Sequence, residues 1–182
     1  MSFFNFRTNL SRRFERGTQQ HEENSHLRSL AHAVIEAARK LDERVLAPVA
    51  DTNHLAFDSR TLLAMLAFCY ARQIYGSADV AARLRRDASL YRLCGDEIPD
   101  ATTLRRFRGA NRGALQFCLK EALRCLVEQK IAAGFVTKAS ELQLAEEASR
   151  RITMAMFTDS LELDTQRAPT GRLQAWMTYR YR

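Results

Sequence analysis

The stretch GDEIPDATTLRRFRGANRG, residues 95–113, runs from acids and turn formers through two threonines to four arginines, with no acid after Asp100. Arginine can bond both acceptors of a guanine edge, threonine offers a hydroxyl and a methyl, and Gly109 would let the backbone approach a phosphate closely. Thr102, Thr103, Arg105, Arg106, Arg108 and Arg112 are therefore candidate contacts to double-stranded DNA. Upstream, Arg83, Arg85, Arg86 and Arg92 are candidates for a flanking strip of phosphate contacts. The charge distribution agrees: the chain carries a formal +7, and residues 61–130, with twelve basic and seven acidic groups, hold most of it. Such an excess favours an acidic partner without naming one.

Those side chains need a helix to present them. Pro99 cannot sit in a helix interior, and Asp100 can accept from the amides of Thr102 or Thr103, which predicts a helix over 101–112. A 100° step per residue turns Leu104 and Phe107 inward, with Thr103 and Asn111 flanking that face. Thr102, Arg105, Arg106, Gly109 and Arg112 then fall on the outer side. Between 77 and 112 the pattern predicts three short helices joined by tight turns, the plan of a helix-turn-helix. Ser77 and Asp87 are the expected caps of the first two.

The rest of the chain is helical in period, and the expected fold class is all-α. Phe3, Phe6, Leu10 and Phe14 form a stripe over 3–16 in a short basic amphipathic helix, expected to dock on the core. Leu27, Leu30, Ala31, Val34, Ala38, Leu41 and Val45 mark a long helix that Pro48 should stop. RTLLAMLAFCYARQIYG, residues 60–76, is apolar nearly all round, as a central helix would be. Leu115, Cys118, Leu119, Ala122, Leu123, Leu126 and Ile131 mark a helix ending at Gly134. Ser140 with Gln143 makes a capping box for a last helix carrying Leu144, Ala148, Ile152, Met156 and Leu161. Only 133–138 could be a strand, and it has no partner. The expected division is 1–25, an amphipathic helix and linker; 26–132, the main helical domain; 133–165, a C-terminal helix offering a dimer surface; and 166–182, a basic aromatic tail with Trp176, Tyr179 and Tyr181.

At the candidate residues a resemblance enters. HLR (His26 to Arg28), FDSRTLLAML (Phe57 to Leu66), YGS (Tyr75 to Ser77), LRRDASLYRLCG (Leu84 to Gly95) and PDATTLRRFR (Pro99 to Arg108) occur in this order. The run from His26 to Arg112 resembles the N-terminal domain of insertion-sequence transposases of the DDE class, InsH type. The resemblance implies a helical domain that binds the terminal repeats of a bacterial mobile element and acts in the cytoplasm, on the nucleoid. In that family a catalytic domain of RNase H type follows, with three carboxylates holding two divalent metal ions. This chain departs from the pattern, since the region after 131 reads as one helix and a tail. Its acids, Glu141, Glu146, Glu147, Asp159, Glu162 and Asp164, are expected on a solvated helix face with Arg150 and Arg151 rather than as a catalytic triad.

Other chemistry finds no foothold in the sequence. Cys69, Cys94, Cys118 and Cys125 form no C-x-x-C pair, and His21, His26, His32 and His54 have no ligand spacing, so no metal is expected. The seven glycines make no phosphate loop, and neither a cofactor nor enzymatic activity is expected. No segment has the apolar length of a membrane span, and no membrane partner is expected. The expectation is a non-catalytic, sequence-specific DNA-binding regulator or accessory factor of transposition or transcription. It would act as a homodimer or beside a separately encoded transposase. The rival is a module that has lost DNA binding and holds a protein or ribonucleoprotein with the same helices.

Overall fold

The computed structural model of the chain describes residues 24–49, 57–94, 98–134 and 138–167. The stripe over 3–16, the middle of the strand candidate and the aromatic residues of the tail lie outside the described residues. Helix α1 spans residues 24–39, and a single 3-10 turn, Glu43–Val45, follows it. Then come α2 (Ser59–Ala71), α3 (Ser77–Leu84), α4 (Ala88–Cys94), α5 (Ala101–Ala110), α6 (Arg112–Ala132) and α7 (Glu141–Arg167). No strand occurs among the described residues. The fold is all-α.

Helix α2 is the axis of the core. Every residue from Leu62 to Ala71 is buried, as a helix apolar on all sides requires. It packs against α6, and α6 packs in turn against α7. The short helices α3, α4 and α5 gather at one end, α3 touching both of the others and α4 reaching α2. Asp58 starts α2 by accepting from the amides of Arg60 and Thr61. At its other end Arg72 donates to Asp87 at 3.1 Å and lies over the Phe68 ring, tying α2 to the turn before α4. Asp87 and Asp100 cap α4 and α5 through Leu90 and Thr103, and Ser140 and Gln143 form the reciprocal box at the start of α7. Gly134, at φ +79°, closes α6 in the left-handed region that suits glycine.

Three expectations are corrected. Helix α1 stops at residue 39 rather than at Pro48. Asp42 caps the 3-10 turn through Arg44, and Val45 is exposed rather than part of the stripe. The helix predicted over 101–112 is two helices with a joint at Asn111, which is buried. The Asn111 side chain accepts from the Ala47 amide at 2.7 Å and donates to the Ala47 carbonyl at 2.9 Å, a backbone-like pair with the loop after α1. The stripe of α7 is also redrawn: Leu144, Ala148, Ile152 and Ala155 are buried, whereas Met156 and Leu161 are exposed.

The joint is open to measurement. Asn111→Ala leaves a backbone donor and acceptor of Ala47 without partners, and should cost about 1–3 kcal/mol. The expected result is a lower urea midpoint with an unchanged slope; an unchanged midpoint would show that the pair does not hold the joint.

Candidate nucleic-acid interface

Helix α5 sits in the fold by its apolar residues. Leu104 and Phe107 are fully buried, as the spacing predicts. Capping by the Thr103 amide and hydroxyl holds the Asp100 carboxyl below its ordinary range, so the cap is charged at neutral pH. On the opposite side Thr102, Arg106 and Gly109 are exposed, spaced by four and three along one line, and Arg112 is exposed just past the joint. A side chain grown at Gly109 would meet open space, so the helix surface there is clear. Arg85, Arg86 and Arg92 are exposed as well; Arg83 is exposed but bonded to Asp79, one turn earlier on α3, at 2.8 Å.

Three of the candidates face inward. Thr103, 2% exposed, is turned into the core beside Leu104. Arg108 is only 5% exposed and donates to Asp159 of α7 at 2.5 Å, to the Tyr70 hydroxyl at 3.0 Å and to the Ser77 hydroxyl at 3.4 Å. Arg105 is mostly covered, its Nε 3.5 Å from Asp159 and its terminal nitrogen 3.7 Å from Glu162. Arg108 and Thr103 are thus structural residues, and Arg105 is committed to internal carboxylates. The physical reason is that α7 lies over this side of α5, a helix that local periodicity does not place there.

Asp159 corrects a second expectation. It is 3% exposed rather than part of a solvated face. One carboxylate oxygen accepts from the Ser77 amide at 2.7 Å, and the other accepts from the Ser77 hydroxyl at 2.6 Å and from Arg108. Ser77, expected to cap α3, instead lies in its first turn; the cap position is Gly76, which has no side chain to offer. Asp159 therefore caps α3 from another helix, a negative group at a helix N-terminus. A side chain at Gly76 would displace the end of the Glu162 side chain and crowd Thr158, so the glycine leaves room for Glu162 beside the start of α3. Eight residues earlier on α7, Arg151 donates to the carbonyls of Tyr70 and Ala71 at 3.0 and 2.7 Å, a cation at the C-terminus of α2. Helix α7 thus presents opposite charges to the end of one helix and the start of the next.

The titrations follow from this packing. Burial pushes the Tyr70 phenol up to about 12, with the Arg108 guanidinium pulling the other way. Burial likewise raises the thiols of Cys69 and Cys118 to about 12, so both are neutral packing groups rather than nucleophiles. Hydrogen bonds from Arg150, and after it Arg151, hold the Glu147 carboxyl down at about 2. No group of three or more metal-binding side chains, and no helix long and apolar enough to cross a membrane, occurs among the described residues. Sequence reasoning missed Tyr70, Ser77, Arg151 and Asp159 as parts of one site. One signal was present: the series 144, 148, 152, 155 continues to 159, so a carboxylate falls on the core register of α7 and calls for a buried cation.

A model of a family described as a transposase domain (DUF772) matches residues 15–110. The chain belongs to that family. Its function is accordingly a transposition-associated one. No curated protein and no solved structure gives a significant match. The matched transposase domain ends at Ala110, the last residue of α5, so the carboxylates that engage Arg105 and Arg108 come from a helix beyond it.

Removing one partner of a buried ion pair strands the other. Asp159→Ala should cost about 3–5 kcal/mol in urea unfolding, and Asp159→Asn less, because an acceptor for the Ser77 amide remains. A loss below about 1 kcal/mol for the alanine variant would show that the cluster does not hold α7. Acid should loosen the same helix. The folded pKa of Glu147, about 2, is below its ordinary 4.5, so its contribution is full above pH 4.5 and fades as pH falls toward 2. Glu147→Gln should flatten that part of an acid titration followed by circular dichroism.

Proposed function

We propose that this transposase-domain chain is a non-catalytic, sequence-specific double-stranded DNA-binding protein, a regulator or accessory factor of transposition or transcription. The observation that carries the reading is the exposed line Thr102, Arg106 and Gly109 on α5, continued by Arg112, with no acid between Asp100 and Glu121. Leu104 and Phe107 fix the helix on the core, so a rigid element would enter the major groove. Arg106 and Arg112 are the base-reading side chains. Thr102 adds a hydroxyl, and Arg85, Arg86 and Arg92 supply phosphate contacts. Family membership supports an association with mobile DNA. A second copy would supply a second half-site, and the place of action would be the nucleoid of a bacterial cytoplasm.

The commitment of Arg105, Arg108 and Thr103 to the interior favours one rival, a module whose remaining basic surface holds a protein or ribonucleoprotein. Selection of bound sequences from a random duplex library at low and high salt separates the two. DNA reading predicts an enriched motif and an affinity that falls by a logarithmic slope of about 0.9 for each phosphate neutralised. Arg106→Ala and Arg112→Ala should each cost about 1–3 kcal/mol on that motif and relax it at one position. Equal, weak retention of every duplex, unchanged in both variants, would reject the reading in favour of the rival.

A further inference from the structure

Arg105 and Arg108 both turn toward α7, but they are held differently. The Arg108 guanidinium donates three hydrogen bonds, to Asp159, Tyr70 and Ser77. Among the described residues the Arg105 guanidinium donates none. Its Nε is buried without an acceptor, 3.5 Å from Asp159, and its terminal nitrogen stands 3.7 Å from a buried Glu162 oxygen that has no donor either. Both separations are longer than the usual N–H···O distance. The Asp159 oxygen nearest Arg105 already accepts from Ser77 and Arg108, so the departure of Arg105 breaks none of its hydrogen bonds. Glu162 keeps 30% of its side chain exposed, so water can solvate its carboxylate in place of the guanidinium. A partly exposed pair of this kind biases an equilibrium by no more than about fivefold.

The root of Arg105 lies closer to the exposed side of α5 than its tip does. At about 100° per residue, Arg105 stands about 40° from Gly109 and about 60° from Thr102, and Arg106 mirrors it on the other side of the line these two define. Thr102 and Gly109 are exposed, and the surface over Gly109 is clear. We infer that Arg105 is a latched phosphate contact: α7 holds it in the free protein, and a DNA phosphate beside Gly109 draws it away from Asp159 and Glu162. A phosphate offers the paired acceptors that a guanidinium fits, which the internal carboxylates do not give this residue. Glu162 is then an internal competitor for the anion, placed on a helix beyond the 15–110 stretch that carries the transposase-domain match. The inference rests on the DNA-binding reading above. It adds a restraint that Arg106, exposed and without a carboxylate partner among the described residues, does not have.

Fluorescence anisotropy of the full chain on a labelled duplex of mixed sequence, about 20 base pairs long, tests the latch over a salt series. Glu162→Gln should bind about two- to fivefold tighter than wild type at equal salt. Arg105→Ala should bind more weakly and lower the logarithmic salt slope by about 0.9, as loss of one phosphate contact requires. In the Arg105→Ala background Glu162→Gln should bring no gain, because the group it releases is gone. A gain of equal size in both backgrounds is plain relief of charge repulsion and overturns the inference. So does an Arg105→Ala chain with wild-type affinity and slope. A wild type that leaves the duplex unbound at low salt overturns the DNA-binding reading and the inference together; either of the other two results, with the wild type bound, overturns the inference alone.

Discussion

The carboxylate of Asp159 holds the arrangement of the short helices. It belongs to α7 and touches α3 through its first amide and hydroxyl and α5 through Arg108. A buried carboxylate would be costly alone, since leaving water is compensated only where several donors converge on it. Here they do, and the requirement works in both directions. The amide end of α3 needs an acceptor because Gly76 supplies none, and the guanidinium of Arg108 needs a counter-charge because it lies under α7. With Arg151 on the carbonyls that end α2, the same helix fixes the chain on both sides of the turn between α2 and α3. The position of α5, and so the direction in which Arg106 faces, depends on this arrangement.

The basic stretch 105–112 consequently divides its arginines between two tasks. Arg108, and most of Arg105, neutralise carboxylates inside the molecule; Arg106 and Arg112 face solvent. A count of positive residues overstates the surface available to an anion, because two of the four belong to an internal balance of two cations and two carboxylates. What remains is narrower: Arg106 on α5, whose opposite side is packed, and Arg112 at the start of α6.

Much of this was legible along the chain. Caps at Asp58, Asp87, Asp100 and Ser140 were readable because each acts within three residues, and the central place of α2 followed from its lack of a polar side. The inward turn of Leu104 and Phe107 was readable for the same reason. The contacts that decide the site were not, since Ser77 and Asp159 are 82 residues apart and Arg108 and Asp159 are 51 apart. Periodicity alone cannot say which charged side chain is covered by a helix arriving from elsewhere. The break at Asn111 escaped notice similarly, because its reason is a bond to Ala47, 64 residues earlier.

The family match ends at Ala110, whereas the counter-charge of Arg108 lies on α7. Cut at that boundary, the segment would leave Arg108 and the first amide of α3 without the carboxylate they share, and Arg105 without its acidic neighbours. The smallest stretch of this chain that recombination could transplant intact therefore extends well past the homologous part, to the last turns of α7. Any host accepting only the shorter piece must provide a carboxylate of its own at the amide end of α3.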